Sequence, residues 1–276
     1  MIPCFCQRRT APEALFLRVF CLVACYNAVH HSIIFFRNDW ITDDVSWDLF
    51  DRIYCISLKE RPDRQAEALS QFEAVGLARY VEFVIVNKHP ADPEQGIYES
   101  HLLCMKKAIQ AGAERFLIFE DDIVFDRFSP KILRNCIDFM SADIHWNMLF
   151  FGCMVSRSWP TEYPFVRKVA YRSLAHAYVV NRKFADILVQ NPWNHIPYDD
   201  MLRDLQADHM YAVYPAFAFQ SNSRSDNQRY LPLDSVRRRM GGLHRLQKMN
   251  ERYHRHRPLF IAAHIAAISG FIIWLF

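Results

Sequence analysis

The sequence predicts a mixed α/β domain followed by an apolar helix, and three observations carry that prediction. Short runs of β-branched and aromatic residues alternate with stretches whose apolar residues recur at helical spacing. One of the runs, FLIFEDDIVF at 116–125, meets three carboxylates before turning apolar again. The last 19 residues, Pro258 to Phe276, carry no formal charge.

Taken in order, IYCISL at 53–58 reads as a short buried strand. Pro62 to Gly76 reads as a helix: proline suits its first turn, Ala66, Leu69 and Phe72 share a face, and Gly76 can end it. YVEFVIV at 80–86 is a second strand, and Gly96 to Gly112 holds a helix with Leu102, Met105 and Ile109 on one side. RFLIF at 115–119 is a third strand, leading directly into Glu120, Asp121 and Asp122. Ser129-Pro130 is a cap and first-turn pair for a helix to Met140. Strands follow at 148–152 and 176–181, then helices from Arg182 to Gln190 and from Asp199 to Ala207, then a strand at 209–215. Strands alternating with helices imply a largely parallel sheet covered on both faces.

The chain's 276 residues suit one domain with appendages, divided here as an N-terminal apolar extension (1–48), the α/β domain (49–232), a basic linker (233–257) and an apolar tail (258–276). The formal charge of +3 is local in origin. Arg237 to Arg257 holds eight Lys/Arg against one acid, Glu251, leaving 25 basic and 29 acidic residues elsewhere. A mildly acidic domain argues against nucleic-acid binding. None of the eight cysteines forms a CxxC pair, no zinc-type Cys/His spacing occurs, and the pattern suits a reducing compartment.

The uncharged tail is long enough to cross a bilayer, with Trp274 placed as an interfacial aromatic. The basic stretch before it favours the cytoplasmic side, so the expectation is a C-terminally anchored domain facing the cytoplasm. A buried helix after a solvated basic linker is the competing reading. Leu15 to Phe36 is also apolar but is interrupted by Arg18, Asn27, His30 and His31. It reads as a helix on the membrane or against the domain, with a signal-anchor and a lumenal domain as the alternative.

The acidic strand end is the sharpest chemical signal. A carboxylate cluster beside apolar residues is costly unless water or a cation neutralises it. In open α/β sheets the ligand crevice lies at the carboxyl ends of the strands. Oxygen ligands there suit Mg²⁺ or Mn²⁺, held by one or two carboxylates plus substrate phosphates. Glu120 and Asp122 lie two apart and point the same way if extended, with Asp121 opposite. An acidic turn that merely caps the next element explains the same residues.

Six segments in order resemble glycosyltransferase family 25, the lipooligosaccharide glycosyltransferases and collagen galactosyltransferase domains. They are IYCISLKERPDRQ (53–65), GIYESHLLCMKKAI (96–109), FLIFEDDIVF (116–125), HAYVVNRKFA (176–185), IPYDDML (196–202) and YPAFAFQSNSRSDN (214–227). Ser57 stands where the family commonly has asparagine, and Tyr98 and Glu99 where bacterial members have Gly-Cys. The resemblance implies a GT-A-type, Rossmann-like mixed sheet with helices on both faces. It implies a UDP-sugar donor, often UDP-galactose, and inverting transfer to a hydroxyl of a glycan, lipid-linked or protein acceptor. Glu120 and Asp122 are then the implied ligands of Mn²⁺ or Mg²⁺. Leu58, Arg61, Arg64, Ser100, His101, Asp121, Gln220 and Asp226 are the implied donor-binding residues, with Ser225 beside them. Asp199 or Asp200 is the implied general base, the other capping the helix. For Arg61 and Arg64 a helix-surface ion pair, and for His101 a satisfied structural histidine, are the plainer alternatives. A catalytically inert, membrane-tethered relative is the competing function. A two-metal phosphoesterase would call for a second dense His/Asp cluster, which the sequence lacks.

Overall fold

The computed structural model describes residues 47–142, 145–205, 208–221 and 241–275. The strands are β1 (Arg52–Leu58), β2 (Val81–Val86), β3 (Arg115–Glu120), β4 (Ile123–Phe125), β5 (Met148–Phe150), β6 (Met154–Pro160), β7 (Val166–Ser173), β8 (Ala177–Asn181), β9 (Met210–Val213) and β10 (Ala218–Gln220). The helices are α1 (Pro62–Ala74), α2 (Pro93–Gln110), α3 (Pro130–Ser141), α4 (Arg182–Leu188), α5 (Tyr198–Asp204), α6 (Gly242–Arg255) and α7 (Arg257–Leu275). Eight strands form one sheet in the order β2-β1-β3-β8-β5-β9-β7-β6, and β4 pairs with β10 in a separate two-stranded ribbon.

The sheet is mixed rather than largely parallel. Only β1–β2, β1–β3 and β5–β9 run parallel, while β3–β8, β5–β8, β6–β7 and β7–β9 are antiparallel. The difference comes from the β6–β7 hairpin, whose polar, irregular segments lack clean alternation, and from β8, which enters against β3. The β4–β10 ribbon also went unread, because its strands are short and built by pairing with each other.

Alternation along each buried strand sends side chains to two cores. Phe116 and Ile118 of β3 join Tyr54, Tyr178 and the apolar faces of α2, α4 and α5. Leu117 and Phe119 join Cys55, Ala68 and Phe72 of α1, and Ile132, Leu133 and Cys136 of α3. Helices therefore cover both faces, as expected. Helix boundaries follow local chemistry: α2 starts earlier than expected because the Asp92 carboxylate accepts from the Glu94 N–H at 3.0 Å with Pro93 in the first turn.

The basic stretch expected as a linker instead contributes α6, packed on the domain. Buried Gln247 donates to the Ala218 carbonyl (2.9 Å), Asn250 exchanges two bonds with the Val155 backbone, and buried Glu251 pairs with Arg127 at 2.8 Å. Lys248 and His244 clasp Asp126. The packed face is polar, so hydrophobic periodicity could not reveal it. Gly152 sits beneath this contact: a Cβ there would lie 1.8 Å from the Ala218 carbonyl oxygen and 2.6 Å from Gln247 Nε2.

Helix α7 spans roughly 28 Å at about 1.5 Å per residue. Arg257–Trp274 is the one described stretch long and apolar enough to cross a membrane, and none of it is buried against the domain. The N-terminal apolar stretch, Ser225 and Asp226 lie outside the described residues.

Candidate functional site

The acidic end of β3 is where the sequence motifs meet. Strand alternation sends Glu120 to the α2 face and the next residue, Asp121, towards α1. Asp121 is buried, accepts from Ser57 Oγ on β1 at 2.6 Å, and pairs with Arg64 of α1 at 3.3 Å. Ser57 thus serves as the hydroxyl donor that holds this carboxylate.

Glu120 is fixed from two sides. His101 Nε2 lies 3.3 Å from Oε1, and Gln220 Nε2 donates to Oε2 at 3.2 Å. His101 is itself positioned by α2, by stacking on Tyr198 with ring centroids 4.2 Å apart, and by the Tyr178 hydroxyl 2.9 Å from Nδ1. Tyr178 and Tyr198 share a hydrogen bond of 2.9 Å. Burial pushes His101 down to about 4, so the ring is neutral near pH 7. The neutral ring donates from one nitrogen and accepts at the other, and so bridges the Tyr178 hydroxyl and Glu120. The order is then Tyr198, Tyr178, His101, Glu120, with Gln220 closing the far side. The tyrosines are the functional candidates that sequence reading missed, since a buried tyrosine inside an apolar strand reads as core.

Desolvation pushes Glu120 up to about 8, with repulsion from Asp199 and Asp121 adding to it and Gln220 and Arg64 opposing. Asp122 is raised well above the usual carboxylate range by desolvation first and Glu120 second. Its Oδ1 is buried without a hydrogen-bond partner. Two carboxyl groups held this close, one with an orphaned oxygen, form a site short of positive charge. No group of three or more His, Cys, Asp or Glu side chains is gathered for a metal among the described residues. A hard divalent ion that keeps waters and takes phosphate oxygens needs only one or two carboxylates, so Glu120 and Asp122 fit it.

The remaining expected residues divide. Arg64 reaches the acidic cluster, whereas Arg61 pairs with Asp63 at 2.8 Å beside α1. The Leu58 carbonyl closes the β1–α1 loop, accepting from Gln65 Nε2 and the Arg61 N–H. Ser100 Oγ donates to the Gly96 carbonyl of its own helix at 2.6 Å. Asp199 accepts from Tyr171 (2.5 Å) and from the N–H groups of Leu174 (2.8 Å) and Ala175 (3.1 Å). Asp200 pairs with Arg203 at 2.6 Å on a half-exposed face. Of the two aspartates expected to supply a general base, Asp199 spends three acceptor bonds on the β7–β8 turn, and Asp200 is tied into an i,i+3 ion pair. Neither residue caps α5 through its side chain; the cap position is Pro197.

Known proteins match the same region. The family model described as glycosyltransferase family 25 (LPS biosynthesis protein) matches residues 77–202. The probable inactive glycosyltransferase 25 family member 3 of Rattus norvegicus is 28% identical, over 37% of this chain and 23% of that protein. The inactive glycosyltransferase 25 family member 3 of Mus musculus is 26% identical, over 37% and 22%. The chain thus spans about a quarter of the length of these relatives. Among solved structures, a glycosyltransferase involved in the glycosylation of the major capsid of PBCV-1 is 11% identical with a TM-score of 0.40, covering 67% of this chain and 99% of that one. The inositol-1-phosphate CTP transferase of T. maritima is 14% identical with a TM-score of 0.37, covering 65% and 74%. Likenesses that distant carry no functional conclusion. The stretch that resembles the glycosyltransferase family 25 model, residues 77–202, contains α2 with His101, the acidic end of β3, Tyr178 and Tyr198.

Proposed function

We propose that this glycosyltransferase-family domain transfers a sugar, galactose by its family resemblance, from a UDP-sugar to a hydroxyl of a glycan, glycolipid or glycoprotein, with inversion and with Mn²⁺ or Mg²⁺. The observation that carries the proposal is the orphaned Asp122 oxygen beside Glu120 at the tip of β3. Glu120 and Asp122 would hold the cation, which supplies charge to the departing diphosphate.

The chain's own residues set the frame for that chemistry. His101 and Gln220 fix both oxygens of Glu120, so its orientation is settled before donor binds. Arg64 and Ser57 hold Asp121 in place, keeping a guanidinium at the strand tip. Asp199 is read as a positioning residue: its three acceptor bonds pin the turn that carries Leu174 and Ala175 into β8. We place the domain at a membrane through α7, with the basic residues that precede the helix on the cytoplasmic side.

A catalytically inert role is the second reading, supported by the names of the two relatives. UDP release from UDP-galactose, followed with and without Mn²⁺, separates the two. The wild type should turn over with the ion, and Asp122→Asn should lose about a hundredfold or more of that rate while still unfolding cooperatively. A wild-type chain with neither turnover nor UDP binding supports the inert reading.

A further inference from the structure

Away from the acidic cluster, a cavity of about 660 Å³ opens where the β6–β7 hairpin meets the α6–α7 junction. That size suits a small-molecule or headgroup site. Its polar wall is Ser158, Arg167, His254, Arg255 and Arg257. Its other wall is Pro258, Ile261, Ala262 and Ile265 of α7, which recur at i, i+3, i+4 and i+7 and so form one stripe. The cavity is cationic at one end and apolar along the helix.

The cations there lack acidic counterparts. Arg167 is half-buried, donates to Ser158 Oγ at 3.3 Å and lies over the Tyr214 ring at 5.2 Å. No carboxylate pairs with Arg167, Arg255 or Arg257 among the described residues. His254 Nδ1 is buried without a partner. A half-buried guanidinium near other cations calls for an anion. Trp159 and Tyr253, both over 40% exposed, stand on the same hairpin and helix end, as interfacial aromatics do.

We propose that this cavity binds the headgroup phosphate of an anionic membrane phospholipid, with Arg167, Arg255 and Arg257 on the phosphate and an acyl chain along the Pro258–Ile265 stripe. The apolar stripe, continuous with a helix none of which is buried, selects an amphiphile over free phosphate. The site rests on the reading of α7 as a membrane anchor. It would set the domain's height and tilt on the bilayer, holding the acidic cluster in a fixed relation to membrane-borne acceptors.

The test uses the full chain purified in non-ionic detergent, with native mass spectrometry during titration with phosphatidylglycerol, phosphatidylcholine or inorganic phosphate. Phosphatidylglycerol should bind preferentially, and R167Q/R255Q should weaken it about thirtyfold. R167K/R255K, which keeps both charges, should retain most of the preference and guards against simple misfolding. Equal binding of the two lipids, an unchanged preference in R167Q/R255Q, or phosphate binding as well as the lipid would each overturn the site. Alkaline extraction of membranes keeps the two readings apart. Wild type and R167Q/R255Q should both stay in the pellet; release of the wild type would overturn the anchor and the lipid site together.

Discussion

Replacing Glu120 with glutamine should flatten part of the pH dependence of stability. Glu120 stands at about 8 in the folded chain against an ordinary 4.5. A folded-state value raised this way means that the native protein holds the proton longer than the unfolded one. The stabilisation is therefore complete below about pH 4.5 and is lost as pH rises through about 8. For a dry site the loss between pH 5 and pH 8 is about 3.5 kcal/mol, at about 1.4 kcal/mol per unit. The Glu120 side chain keeps 28% of its surface exposed, and water in the crevice reduces the loss to about 2 kcal/mol, or about 4–8 °C in Tm for a domain of this size. His101 and His176, both pushed down to about 4 by burial, tilt the curve the other way below about pH 6.5. They do so in wild type and variant alike, so the readout is the difference between the two proteins. Differential scanning fluorimetry from pH 5 to pH 8 should show E120Q gaining on wild type by several degrees. Mn²⁺ should raise the wild-type Tm more at pH 8 than at pH 6, and raise E120Q less. Parallel curves for the two proteins, with equal Mn²⁺ increments, would refute the assignment of Glu120 to a buried, cation-seeking site.

Three further outcomes follow from the geometry. Asp199→Asn should lower Tm by several degrees and activity with it, because the turn at Leu174–Ala175 loses its charged acceptor, whereas Asp200→Asn should leave both near wild type; kinetics and melting of the two proteins side by side decide it. Tyr178→Phe should cost about 1–2 kcal/mol by leaving His101 Nδ1 and the Tyr198 hydroxyl short of a partner, measured by urea unfolding. Gly152→Ala should cost about 2 kcal/mol or more, since the added methyl meets a backbone carbonyl that cannot turn away, and the same urea titration reads it.

Much of the fold was legible because its buried strands and proline-started helices announce themselves locally. IYCISL, RFLIF and HAYVV are short apolar runs, and Pro62 and Pro130 each stand in the first turn of a helix. The hairpin β6–β7 escaped because Arg157, Ser158 and Trp159 face the surface and the register shifts near Val155. Helix α6 escaped because its buried face is made of Gln247 and Glu251, whose place in a core depends on partners more than 25 residues away in sequence. At the site, the EDD triplet was visible as an anomaly of composition, and Gln220 and His101 as members of the segments that resemble the family.

The sequence by itself determined that three carboxylates stand at the end of a buried strand, and that alternation would divide them between two faces. Those are local properties of a chain with a period of two. The division of labour among them was settled only by tertiary structure. Ser57 and Arg64 take Asp121, His101 and Gln220 take Glu120, and Asp122 keeps a buried oxygen with no partner. The same holds for Asp199, whose environment is written by a turn 25 residues away rather than by its own neighbours. Desolvation and hydrogen-bond partnership depend on what the fold brings alongside a group, and no pattern along the chain encodes them.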